Sequence, residues 1–173
     1  MLDWSRYPGW LSLDEGEALA NLCQGQVVLE LGSFLGRSTI CIAAKAKHLH
    51  SVDWHKGDAS TKADALHRAD TLAEFRANLQ GAGVADKVTL HIGRFEEILP
   101  LFREAIFGAI FVDGDHGKES VEFDIAQARR LVCPKGLLIF HDWWRLPVRE
   151  AIVQAFGGST LERIGSLVWL RHA

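Results

Sequence analysis

The residues best equipped for chemistry fall in three short stretches. The first is Val27-Val28-Leu29-Glu30-Leu31-Gly32-Ser33-Phe34-Leu35-Gly36-Arg37-Ser38, an apolar run that ends in a glycine-punctuated turn. The second is Val112-Asp113-Gly114-Asp115-His116, and the third is Ile139-Phe140-His141-Asp142-Trp143-Trp144. A strand–turn–helix of the first kind aims free N–H groups and the positive end of a helix dipole at one crevice. Such a crevice suits a carboxylate or phosphate. Gly32 and Gly36 carry no Cβ, which lets backbone approach a ligand closely. Asp53 closes the next apolar run, 21 residues past Gly32. A carboxylate there can take both ribose hydroxyls of a nucleoside. In the other two stretches, carboxylates with water suit Mg2+, Ca2+ or Mn2+, and imidazole moves the preference toward Mn2+, Fe2+ or Zn2+. Taken singly, Asp113 and Asp142 read as turn caps and His141 as a hydrogen-bonded core group; taken together, the two clusters point to a site.

The elements that must position these groups alternate between strand and helix. Ser12 and Glu15 make a capping box, so a helix starts near residue 13 and ends by Gly25. Strands are expected at 27–31, 48–53, 87–92, 109–113 and 137–141, from apolar runs or alternation. Helices are expected at 37–47, after a second capping box at Thr71 and Glu74, around Phe95, Ile98, Leu99 and Phe102, at 118–132, and through Val148, Ile152 and Phe156. Cys133-Pro134-Lys135-Gly136 reads as a breaker. Residues 160–164 and 167–171 read as a hairpin across Gly165 and Ser166. This alternation calls for a doubly wound α/β fold, a parallel sheet with helices on both faces. Ligands of such sheets bind beyond the carboxyl ends of the strands, where all three stretches fall. The polar stretch 55–70 also follows a strand end and reads as a lid or substrate loop.

Bulk composition narrows the classes. With 173 residues, 48% apolar and 24% charged, the chain reads as one soluble domain, 1–173, with an arm and helix over 1–25. A net charge of −3 gives no footing for nucleic acid or an anionic membrane. No apolar run reaches transmembrane length and no signal pattern opens the chain, so a cytoplasmic location is expected. Cys23, Cys41 and Cys133 are scattered, which argues against a disulfide or zinc framework, and Cys23 and Cys41 read as buried thiols on helix faces.

The glycine spacing is neither G-x-G-x-x-G nor the Gly-Lys-Ser/Thr of a phosphate-binding loop, which disfavours a nicotinamide dehydrogenase. Glu30 followed by Leu31-Gly32 and then Gly36 and Ser38 instead resembles motif I of class I S-adenosylmethionine-dependent methyltransferases. Val112–His116 followed by Ile139–Asp142 resembles the small-molecule O-methyltransferases related to macrocin and catechol O-methyltransferases, the group labelled methyltransferase family 24. Pro8-Gly9-Trp10-Leu11-Ser12 and Gly165-Ser166-Leu167-Val168-Trp169 share the likeness. The resemblance implies a Rossmann-like seven-stranded sheet of order 3-2-1-4-5-7-6 with the last strand antiparallel.

It also implies roles. S-adenosyl-L-methionine would lie along Glu30, Gly32, Ser33, Phe34, Gly36 and Ser38, with Gly32 and Ser38 at its methionyl end. Asp53 and Trp54 would follow, Asp53 at the ribose; Gly93, Arg94 and Phe95 would lie near the adenine, and Asp113 would border both cofactor and metal. Metal-dependent relatives bind Mg2+ through an acid at the Asp113 position and a pair at 141 and 142. That pair is usually Asp-Asp or Asp-Asn, so His141 is a departure that puts Mg2+ against Mn2+, or against no metal. His116 falls where the catechol enzymes carry a catalytic lysine and would act with Asp113 as the catalytic pair, His116 as general base. The expected partner is a small-molecule acceptor, a sugar or phenolic hydroxyl, walled by Trp54, Trp143 and Trp144. The chain lacks the long helical extension that covers the acceptor in many relatives, leaving the pocket open or completed by a second subunit of a homo-oligomer. Two other readings stand beside this one: a metal-dependent hydrolase using the Asp/His clusters, and a module that binds S-adenosylmethionine without transfer.

Overall fold

The computed structural model describes residues 3–57 and 70–173. Seven strands run β1 Val27–Leu31, β2 His48–Asp53, β3 Val88–Ile92, β4 Phe107–Val112, β5 Val132–Phe140, β6 Glu162–Ile164 and β7 Leu167–Arg171. Among the described residues six α-helices accompany them: α1 Leu13–Leu22, α2 Arg37–Lys45, α3 Leu72–Gly81, α4 Phe95–Ile98, α5 Lys118–Leu131 and α6 Leu146–Phe156. The sheet order is β3-β2-β1-β4-β5-β7-β6, as the resemblance implied. Pairings from β3 through β5 are parallel, and β7 runs antiparallel to both β5 and β6.

Two cores explain why the central strands read as continuous apolar runs. On one face, Leu19 of α1 and Cys23 just past its end, Ile40 of α2 and Phe75 and Leu79 of α3 cover Val28, Leu49, Ala109 and Ile139. On the other, Val121, Ile125 and Ala128 of α5 and Val148, Ile152 and Phe156 of α6 cover Leu29, Leu31, Ile110 and Leu138. Alternation along β1 thus sends Val28 one way and Leu29 and Leu31 the other. Cys23 and Cys41 are buried free thiols, as expected, and Cys133 is half-buried. Burial pushes both buried thiols up, out of reach of thiolate chemistry.

Local departures have local causes. The Ser12–Glu15 capping box forms as expected. The one expected at Thr71 does not, because the Thr71 hydroxyl pairs with His55 Nδ1 at 2.8 Å. That bond, with Thr71 N–H donating to the His55 carbonyl at 3.1 Å, ties the two ends of the polar 55–70 stretch together. Residues 58–69 of that expected lid lie outside the described residues. The helix expected through Phe102 is one turn, α4, continued by a 3-10 turn at Leu99–Leu101 that carries Pro100 near its start. Cys133-Pro134-Lys135-Gly136 ends α5 but does not delay the next strand: β5 already begins at Val132, with an irregularity opposite Phe107 and Ala109 and Lys135 at φ +64°. The second helix stops at Lys45, two residues short of the expected end.

Candidate functional site

The carboxyl ends of β1, β2, β4 and β5 open into one cleft of about 740 Å3. Its walls are the N-terminal arm at Trp10 and Leu11, the β1–α2 turn, Asp53 to His55, Arg94 to Glu96, Asp113 to His116, and His141, Asp142, Trp144 and Arg145. Arg37 builds one wall: its guanidinium donates to the carbonyls of Gly9 at 2.7 Å, Leu11 at 2.9 Å and Ser5 at 2.5 Å, which folds the arm over the turn. Trp10 then lies against the Phe34 ring, centroids 5.0 Å apart.

The turn itself is held from below. Asp53 Oδ2 accepts the backbone N–H of Ser33 and of Phe34, each at 2.8 Å, and Asp53 Oδ1 accepts that of His55 at 2.6 Å. Phe34 therefore holds φ +47° inside a loop whose amides converge on one carboxylate. Gly32, at φ +87°, lines the cleft, but the approach it permits is to protein: a Cβ there would collide with the Asp113 carbonyl. Gly36, expected at the ligand, lies off the cleft wall and makes room for the Phe75 ring.

Three other residues expected at the ligand stand away from the cleft wall. Glu30 does not reach the cleft wall. Its fully buried carboxyl accepts from Ser38 and Thr39 hydroxyls at 2.7 Å and from Ser51 at 3.0 Å, and so fastens the start of α2 to β1 and β2. Burial drives its pKa up to about 7 against the pull of those three hydroxyls. Gly93 is also off the wall, because Ile98 covers it and a Cβ would meet that side chain at 2.9 Å. Trp143 packs into the core under α6 rather than into the cleft. Trp54 does line the cleft, with Arg94 4.8 Å and Lys56 4.7 Å from its ring centroid.

The two Asp/His stretches meet. His116 Nε2 pairs directly with Asp142 Oδ2, and Arg145 Nε approaches the same oxygen at 3.5 Å. His141 Nδ1 lies 3.4 Å from Asp113 Oδ1 and 3.8 Å from Asp142 Oδ1, while its Nε2 faces Glu15 Oε2 at 3.9 Å. Burial alone would keep His141 neutral, but the Asp113 hydrogen bond and the charges of Asp113, Asp142 and Glu15 raise its pKa to about 9. Burial pushes Asp142 up, and the His116 hydrogen bond with the nearby cations outweighs it, leaving Asp142 below the ordinary carboxylate value.

Asp113, His141 and Asp142 each offer one ligand atom within 4.8 Å of the others. The buried His141 Nε2 has no hydrogen-bond partner, and Glu15 stands beyond it as an outer carboxylate stands behind a ligating imidazole. The set therefore fits a divalent ion, and its imidazole favours Mn2+ over Mg2+.

The sequence pattern did not single out Glu15 and Asp124 for the site. Glu15 was legible as a capping residue. Its second task appears only in three dimensions, where it also accepts the Ser166 N–H from the β6–β7 turn. Asp124 is an acid one residue from Ile125 on an amphipathic helix, a spacing that ordinarily means solvent; it is 2% exposed instead.

Comparison with known proteins agrees with this geometry. The family model described as "Methyltransferase domain", methyltransferase family 24, matches residues 29–143. A catechol O-methyltransferase of Mycobacterium tuberculosis is 32% identical over 116 residues, covering 65% of this chain and 47% of that protein, so the match spans about half the relative's length. Among solved structures, a candidate O-methyltransferase from Klebsiella pneumoniae is 25% identical with a TM-score of 0.73, covering 96% of this chain and 84% of that one. TomG, an O-methyltransferase of Streptomyces achromogenes involved in tomaymycin synthesis and solved in complex with SAM, shares the fold at TM-score 0.71 and 22% identity, over 95% of this chain and 82% of that one. No described helix is long and apolar enough to cross a membrane.

Proposed function

Because the chain belongs to the methyltransferase family 24 group, we propose that it transfers the methyl group of S-adenosyl-L-methionine to a hydroxyl oxygen of a small molecule. The observation that carries this reading is the convergence of the β1–α2 turn, Asp53 and the His116–Asp142 pair on one cleft. The cofactor's methionyl end lies at Gly32 and Ser38, where the first turn of α2 leaves backbone N–H groups without helical partners. Asp53 keeps one lone pair, on Oδ1, for a ribose hydroxyl. The base reaches Trp54, Arg94 and Phe95. The SAM complex of TomG, on the same fold, supports this assignment.

The sulfonium methyl is already activated, so the main task is to align an acceptor oxygen with it and exclude competing water. Asp142 holds His116 through Nε2, which leaves Nδ1 to take the acceptor's proton. Asp142 and Arg145 together fix the ring that does so, much as a carboxylate orients the base of a hydrolytic triad. When bound, a divalent ion held by Asp113, His141 and Asp142 lowers the pKa of the acceptor hydroxyl. The acceptor enters between Trp10 and Trp144, both exposed at the cleft mouth.

The test is turnover: S-adenosylhomocysteine release with catechols and sugar alcohols as acceptors, with and without Mn2+. Release that requires an acceptor is the expected result. Hydrolysis that requires metal and ignores S-adenosylmethionine would favour a hydrolase instead. Cofactor binding without release on any acceptor would reduce the protein to a binding module.

A further inference from the structure

Asp124 is a buried acid that lines the cleft and has no role so far. It sits in the second turn of α5, 2% exposed, yet it borders the cleft at the end formed by Phe95, Glu96, Gly114 and Asp115. No described residue donates a hydrogen bond or forms an ion pair to it, whereas Glu30, the buried acid of β1, is served by three hydroxyls. A buried carboxyl left in that condition costs free energy unless a ligand completes it. Burial, and then the charges of Glu96 and Asp115, raise its pKa to about 8, so it holds a proton at neutral pH. The backbone keeps the path open, because a Cβ on Gly114 would come within 2.9 Å of Asp124 Oδ2 and 2.7 Å of the Phe95 ring.

We infer that Asp124 is a specificity-determining residue that reads the base of the cofactor as a neutral carboxylic acid. The inference rests on the methyltransferase reading above, which places the adenine beside Phe95. A protonated carboxyl presents an O–H donor beside a carbonyl acceptor. Adenine presents the complement, an acceptor ring nitrogen beside the donor N6 amine. One carboxyl therefore forms two bonds with adenine. It fits a purine that lacks the 6-amino group less well, because the carboxyl's carbonyl oxygen is then left without a donor. A carboxylic acid kept neutral by an apolar site so that it can donate is an established device in enzymes.

The experiment compares S-adenosylhomocysteine with its analogue lacking the 6-amino group (unsubstituted purine as the base) by calorimetry on the full chain, in wild type, Asp124→Asn and Asp124→Leu. Wild type is expected to prefer the adenosyl compound by about tenfold or more. Asp124→Asn keeps a donor beside an acceptor and should stay within about threefold of wild type. Asp124→Leu should lose about tenfold in affinity for the adenosyl compound and most of the preference. Thermal melting without ligand separates binding from folding: an acid without partners can be removed with the melting temperature held or raised. An Asp124→Leu protein that keeps both affinity and preference overturns the inference alone. A loss of melting temperature in both variants with preference intact assigns Asp124 a structural role and also overturns it. Wild type that binds neither compound overturns the methyltransferase reading together with this one.

Discussion

Two groups of histidines sit on the same sheet and differ in almost every physical respect. At the far edge, His50 Nδ1 of β2 and His91 Nε2 of β3 lie 3.0 Å apart, rings stacked, with the edges of Phe102 and Phe107 closing around them. Burial, joined for His50 by repulsion from His91 and His48, depresses both pKa values and keeps this pair neutral. At the carboxyl ends, His141 is more buried than either, yet three carboxylates ring it and it carries a proton to about pH 9. His116 beside it is gripped by one of those carboxylates. Neighbours, rather than depth alone, decide whether an imidazole is inert filling or a charged, oriented group. The carboxylates around His141 stand where the strands end, beside the cleft.

The comparison breaks most visibly in turnover. His116→Ala should cut methyl transfer by about 10^2 to 10^4-fold while cofactor binding holds, and His91→Phe should leave both unchanged. Equal losses in the two variants, read as kcat beside calorimetric affinity, would erase the distinction between the regions.

A smaller effect appears in stability against pH. His141 has a folded pKa raised above its ordinary 6.5, so its contribution is full below about pH 6.5 and is lost as pH rises through 9. In metal-free protein with chelator, wild type should lose on the order of 2 kcal/mol more than His141→Gln between those limits. Parallel curves for the two proteins in thermal or urea melts would show that the imidazolium is not held by its carboxylates.

The smallest effect lies at the edge pair and has the opposite sign. Its folded pKa values are depressed, so its stability is present above about pH 6.5 and is lost as pH falls through them. His50→Phe should therefore flatten the acid limb of the melting curve. The gain is less than about 1 kcal/mol, because both rings are only half-buried and solvent screens them. An unchanged acid limb would mean that the pair does not resist protonation.

Much of this arrangement was legible in the chain, because periodicity and spacing act locally. The run Val27 to Leu31 declared a strand buried on both faces, and the distance from Gly32 to Asp53 matched the two strand ends that share the cleft. The sheet order required the family likeness, since local patterning says nothing about which parallel strands are neighbours. What stayed hidden is what depends on approach from elsewhere in the fold. Gly32 reads as a glycine for a ligand, but its missing Cβ serves the Asp113 carbonyl. Glu30 reads as a cofactor contact until three hydroxyls from two elements close over it. Thr71 has the sequence of a helix cap, and loses that task to His55. Asp124 carries no local mark of its burial and Glu15 only that of a helix cap, because the rest of what surrounds them comes from distant segments.

In this reading a backbone turn fastened by Asp53 grips a charged nucleoside. Calorimetric titration of S-adenosylhomocysteine into wild type and Asp53→Ala tests it most directly. One site per chain with micromolar affinity, weakened about tenfold or more by the substitution, is the predicted result. Absence of binding heat in the wild type, or equal affinity in the two proteins, would contradict it.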